Sequence, residues 1–273
     1  MPSRTVLLNT PLQLSAARDE LLRRLTEDGV QRGLRVVRCP DVYHLPEDSP
    51  VWGGLRDAGA FAAVFGWVHP RPLRWVLHRH GIEVAQEKCH NLSTLASVEA
   101  ASSLLPEAEA GKVGEAIEHG REVSERWYPV MDRSLCIDCG HCLQFCIFGV
   151  YSRDEEGHVY TAAPDNCKPG CPACARVCPA GAIVFPLCES DRAIAGAPGE
   201  HVVLDDAARR MYYDRTGARC PVCGLEGDVP GDSGGPTCPE CGRPVPPAGP
   251  ADAPVFAEID ALIDELDEMS GGL

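Results

Sequence analysis

Two rhythms of apolar and polar residues divide the first third of the chain. TVLLN (5–9), LRVVRC (34–39), FAAVFGWV (61–68) and IEVAQ (82–86) are apolar runs of strand length. SAARDELLRRLTEDG opens with a capping serine and repeats Leu21, Leu22 and Leu25 at helical spacing, and RPLRWVLHRHG carries the same period. Strands alternating with helices predict an α/β domain over residues 1–93, a parallel sheet covered by helices. Residues 94–129 read as a helical linker, because PEAEAGKVGEAIEHGREVSERW begins with Pro106 and acidic residues suited to a first helical turn. Further on, GVYSRDEEGHVYTA (149–162) alternates around a Glu-Gly turn and predicts a β-hairpin that packs Val150, Val159 and Tyr160 inward. Residues 246–273 read as a linker followed by an acidic amphipathic helix, with Phe256, Ile259, Leu262, Ile263 and Leu266 along one face. So short a helix needs a surface for that face: the protein's own body, a second copy, or a partner gripped through residues 252–269.

Composition changes the picture in two ways. Fifteen cysteines in 273 residues are clustered instead of scattered, which points to metal binding over disulfides. The formal net charge of −15 argues against nucleic acid as a partner, since gripping phosphates needs basic patches; it favours a partner protein with a basic docking surface. Residues 1–12 have too short an apolar run for a signal peptide, and AGAFAAVFGWV is too short to span a bilayer, so the expectation is a cytoplasmic protein without membrane contact.

The densest chemistry lies in two cysteine runs. CIDCGHCLQFC (136–146) has C-x2-C-x2-C-x3-C spacing, and CKPGCPACARVCP (167–179) has C-x3-C-x2-C-x3-C-P. Short x2 loops let consecutive thiolates wrap three corners of a four-iron cubane while a fourth arrives from elsewhere. This block, residues 130–187 of a domain expected at 130–195, resembles the bacterial two-cluster [4Fe-4S] ferredoxin module. The resemblance implies an α+β domain with two hairpins and two short helices about a pseudo-twofold. It also implies two [4Fe-4S] clusters, one on Cys136, Cys139, Cys142 and Cys178 and the other on Cys146, Cys167, Cys171 and Cys174. Ile147 stands where the family usually has proline, and the x3 step between Cys167 and Cys171 loosens one corner. Two unrelated structural zinc sites are the bland alternative, and Cys188 reads as a spare thiol.

After a linker (196–216), CPVCG (220–224) and CPECG (238–242) form a matched pair of knuckles that each point two sulfurs at one ion. Residues 217–245 resemble a zinc ribbon, which implies one zinc ion on Cys220, Cys223, Cys238 and Cys241. A rubredoxin-like iron could use the same S4 set.

In the α/β domain the predicted strand ends carry Asn9, Thr10, Cys39, His44, Trp67 and His69, where ligands of open α/β sheets bind. No G-x-G-x-x-G follows the first strand, so a dinucleotide is not supported. CPDVYH and GWVHPRP resemble the N-terminal domain of the HdrA subunit of heterodisulfide reductase, though Asn9 and Trp67 occupy places where that family has sulfur. The resemblance implies a cluster only if Cys39 and Cys89 are joined by histidines; otherwise the two cysteines are small buried hydrophobes. These features together predict an iron–sulfur electron-transfer protein or subunit with no catalytic residue of its own. Two alternatives stay open: an oxidoreductase whose α/β domain acts on a thiol or disulfide, and a cluster-containing sensor or assembly factor.

Overall fold

The computed structural model describes residues 4–107, 112–120, 123–200, 202, 220 and 238. By contact the chain divides into two units, Met1–Leu204 and Asp205–Leu273.

In the first unit a parallel sheet has the order β4-β3-β1-β2-β5, built from β1 (Thr5–Thr10), β2 (Arg35–Pro40), β3 (Phe61–Gly66), β4 (Cys89–Asn91) and β5 (Glu115–Glu118). Its crossovers carry α1 (Ala16–Gln31), α2 (Val51–Asp57), α3 (Pro70–Arg79) and α4 (Val98–Ser102). Ser15 caps α1, accepting the Arg18 amide at 3.3 Å as its sequence position predicts. Alternation along the strands sends Leu7, Val37 and Val64 to one face, with α2 and α3, and Val6, Leu8, Val36 and Phe65 to the other, with α1 and α4. Both faces are covered, so the strands read as continuous apolar runs.

Two elements differ from the sequence expectation. Among the described residues, the stretch 94–129, read as a helical linker, holds the five-residue α4 and then β5, an edge strand on β2. Its glutamates meet arginines across the ladder, with Glu115 at 3.0 Å from Arg35, and this non-local pairing overrides local helix propensity. Gly114 lets the chain pass α1, since a Cβ there would stand 2.3 Å from the Val30 carbonyl oxygen. The fourth strand begins at Cys89, after a 3-10 turn at Gln86–Lys88, and not at Ile82.

The cysteine-rich block has its own core around Val150, Tyr151, Val159, Ile183 and Phe185. It pairs β6 (Val130–Met131) with β9 (Ile183–Val184), and β7 (Tyr151–Arg153) with β8 (Val159–Thr161), both antiparallel, and adds α5 (His141–Phe145) and α6 (Ala173–Arg176). The β7–β8 pair is the expected hairpin. Tyr160, however, is 45% exposed, because strict alternation from the buried Val159 turns it outward; Tyr151 fills the inner place.

This block is fused to the sheet domain, because Tyr128, Val130 and Val184 belong to the core of the α3 face. Tyr43 stacks on Tyr128 with ring centroids 4.4 Å apart, and its hydroxyl both donates to the Tyr128 carbonyl and accepts the Tyr128 amide at 2.8 Å. Arg71 donates to Asp132 and to the Gly181 carbonyl, each at 2.6 Å. Arg126 is buried and reaches the Leu45 carbonyl, Glu47 and Asp165. Among the described residues no helix is long and apolar enough to cross a membrane.

Candidate metal centre

The fold sorts the eight cysteines of the two runs into two groups. Cys136, Cys139, Cys142 and Cys178 line one narrow cavity under β9. Cys146, Cys167, Cys171 and Cys174 line a second, of about 350 Å³, walled by Phe145, Ile147, Phe148, Val150 and Tyr151. Each group takes three sulfurs from one run and one from the other, the fourth cysteine of each run lying just beyond a short helix.

Local geometry explains how the loops are held. Asp138, between the first two cysteines, has φ of 53°, the one positive φ outside glycine among the described residues. Its carboxylate accepts the Val159 amide at 2.8 Å and is also bound by Arg133 and His158, which ties the first loop to the hairpin. Burial alone would raise this carboxyl, but those three donors outweigh it and hold it at about 2. In the second group the Tyr151 hydroxyl donates to Cys174 Sγ at 3.1 Å, and Trp127 Nε1 donates to the Cys171 carbonyl at 3.2 Å. On the other side the Ala182 amide donates to Cys178 Sγ at 3.3 Å.

Burial pushes the Cys142 and Cys167 thiols up to about 12, and raises Cys136, Cys174 and Cys178 as well. Burial that raises these thiols means they are not poised as free nucleophiles; among the described residues no three of the side chains stand close enough together to hold one metal ion.

The remaining sequence candidates are placed differently. Cys220 and Cys238 are both buried, with their sulfurs 3.8 Å apart; Cys223, Cys241 and the helix expected at 252–268 lie outside the described residues. Cys39 and Cys89 do not meet, because β1 and β3 separate their strands and about 14 Å of sheet lies between them at ~4.8 Å per strand. Burial raises Cys39 and pushes Cys89 up to about 12, as expected of inert packed thiols. Asn9 contributes no sulfur but organises the strand ends: its side chain bridges the Phe65 carbonyl and the Val42 amide, and its carbonyl accepts Trp67 Nε1 at 2.8 Å. Cys188 is buried, with Sγ 3.6 Å from Ser190 Oγ and in neither cysteine group. Sequence reasoning does not single out Tyr151 or Trp127; the period-2 alternation of the hairpin is the signal for the first.

Comparison with known proteins points the same way. The chain is 38% identical over 71 residues to "Uncharacterized ferredoxin MJ0251" of Methanocaldococcus jannaschii, which covers 25% of this chain and 48% of that one. It thus spans about half the length of that relative. Over 58 residues it is 37% identical to "Uncharacterized ferredoxin MJ0722" of the same organism, covering 20% of this chain and 74% of the relative. "Pyruvate synthase subunit PorD" of Methanothermobacter marburgensis is 40% identical over 55 residues, 20% of this chain and 60% of that one. No family model and no solved structure matches the chain.

Proposed function

This chain belongs to the ferredoxin family, and on that premise we propose that it is an electron-transfer protein or subunit carrying two [4Fe-4S] clusters. Cys136, Cys139, Cys142 and Cys178 would hold one and Cys146, Cys167, Cys171 and Cys174 the other. When bound, such clusters supply one-electron chemistry. The observation that carries the reading is the sorting of eight cysteines into two cavities of four sulfurs each. The protein's own residues exclude water, through Val150, Val159 and Ile183, and aim hydrogen bonds at sulfur, through Tyr151 and the Ala182 amide.

The relative named as a pyruvate synthase subunit supports a place within a larger redox assembly. With a net charge of −15, the partner protein would present a basic surface. Ile147, 87% exposed on the rim of the second cavity, is apolar surface suited to such docking.

A zinc ion on Cys220, Cys223, Cys238 and Cys241 completes the proposal. Its support is the 3.8 Å between Cys220 and Cys238 sulfurs, which matches the edge of a tetrahedron, about 3.8 Å, built on Zn–S bonds of ~2.3 Å. The oxidoreductase alternative through paired Cys39 and Cys89 loses its basis with their separation across the sheet.

Single substitutions test the ligand sets. Cys142→Ala should remove iron from the first set and leave the second reducible, and Cys174→Ala the reverse. Iron loss that fails to follow this division would overturn the assignment.

A further inference from the structure

A crevice of about 720 Å³ opens at the carboxyl ends of β1 to β4 and is closed on its far side by the segment that leads into β6. It is separate from both cysteine cavities. Its place follows from topology. The chain runs from β1 to β2 on one side and then crosses to β3 on the other, so β1 and β3 form the switch point of the sheet, where loops diverge and leave a ligand cleft. The volume is that of a small-molecule site.

Its floor is polar and buried. Asp41 and His44, each 5% exposed, stand at the two ends of one 3-10 turn after β2, a spacing that puts their side chains on the same face. Asp41 Oδ1 accepts the Tyr43 amide at 3.1 Å, and Oδ2 has no hydrogen-bond partner among the described residues. His44 Nδ1 accepts the Arg126 amide at 3.3 Å, which leaves the ring proton on Nε2, again with no partner among the described residues. Burial raises the Asp41 carboxyl, while His44 and the Tyr43 amide oppose the rise. Two polar side chains of nearly buried residues thus line one cleft, one able to donate and the other to accept.

The walls are aromatic. Trp67 lines the crevice from the end of β3, fixed by its bond to the Asn9 carbonyl, and Trp127 lines it from the segment before β6, fixed by Phe185 stacked at 5.3 Å and by its bond to the Cys171 carbonyl. The rim carries Arg18, whose guanidinium lies 4.8 Å over the Trp67 ring, Arg192, paired with Glu200 at 2.6 Å, and the carboxylates of Glu125 and Glu189.

We infer that this crevice binds a purine nucleoside, with the base stacked on Trp67 or Trp127 and its edge held by His44 and Asp41. Adenine presents an acceptor nitrogen beside an amino donor, and guanine a carbonyl oxygen beside a ring N–H, the complement of an imidazole N–H and a carboxylate. Indole faces stack any base. A balanced rim suits the uncharged nucleoside, and no pyrophosphate means that no glycine-rich loop is required. The inference is independent of the electron-transfer reading.

Equilibrium dialysis of the intact protein, with its metal content measured, against adenosine, guanosine and ribose 5-phosphate tests it. One nucleoside at least should bind with 1:1 stoichiometry at sub-millimolar concentration, and ribose 5-phosphate should not. Asp41→Asn keeps the cap on the Tyr43 amide but replaces the free acceptor by a donor, and should weaken binding about ten-fold or more. Trp67→Leu, which leaves the floor intact, should also weaken it and provides a second reading if the first variant folds poorly. Absence of nucleoside binding at about 1 mM, or binding that both variants leave unchanged, would overturn the inference.

Discussion

Tyr151→Phe isolates one interaction between the protein and the second thiolate group. The ring is 5% exposed and Phe keeps its packing, so the change deletes only the hydroxyl that donates to Cys174 Sγ at 3.1 Å. Burial and the neighbouring cysteines hold the Tyr151 phenol well above its usual range, so the hydroxyl stays a donor. A donor to sulfur favours the more negative, reduced state, and its loss should therefore lower the reduction potential of the second centre. A net hydrogen bond of about 0.5–1.5 kcal/mol, at about 59 mV per tenfold change in a one-electron equilibrium, corresponds to a fall of roughly 20–60 mV. The assay is an anaerobic potentiometric titration followed by EPR, comparing variant with parent. The first centre, whose sulfurs Tyr151 does not touch, serves as the internal control. A potential that stays within about 10 mV, that rises, or that falls equally at both centres would refute the reasoning.

Three further outcomes follow from the packing. Arg71→Met leaves the Asp132 carboxylate, 6% exposed, without its cation and should cost about 3–5 kcal/mol, read as a lower Tm; adding Asp132→Asn should recover part of the loss. Gly114→Ala forces a Cβ onto the Val30 carbonyl and should cost about 1–3 kcal/mol, again read as Tm, by pushing β5 off the sheet edge. His80 is stacked on Trp52 with centroids 3.5 Å apart, and burial lowers its pKa to about 4. The unfolded chain takes up that proton near pH 6.5 and the folded chain only near 4, so stability falls as pH drops through this window. His80→Phe keeps the stack, removes the proton, and should flatten the decline of Tm between those pH values.

How much of the molecule is legible in its sequence depends on whether the signal is local. The first three apolar runs, the Ser15 cap and the period of α3 each lie within one stretch of chain, and β1 to β3 with their helices follow from them, whereas the run at 82–86 precedes the fourth strand instead of forming it. The division of the eight cysteines into two sets comes from the resemblance to two-cluster ferredoxins and not from local periodicity, because the fourth sulfur of each set is remote in sequence. β5 reads as helix since Glu-Ala-Ile-Glu has helical propensity, while its partners Arg35 and Arg38 are remote in sequence. Tyr160 is expected inward although the alternation from Val159 already turns it outward. His44 is legible as a strand-end residue, whereas Asp41 escapes inspection of the sequence, because its burial depends on the packing of the 3-10 turn against Arg126 and Tyr128 from the other block.

Anaerobic quantification of iron, acid-labile sulfide and zinc in the intact protein, with EPR during a reductive titration, tests the central claim most directly. Two [4Fe-4S] sites and one ribbon predict about eight irons, eight sulfides and one zinc per chain, with a reversible spectrum of two interacting reduced centres. Zinc in place of the eight irons, or iron that is lost instead of cycling on reduction, would contradict it.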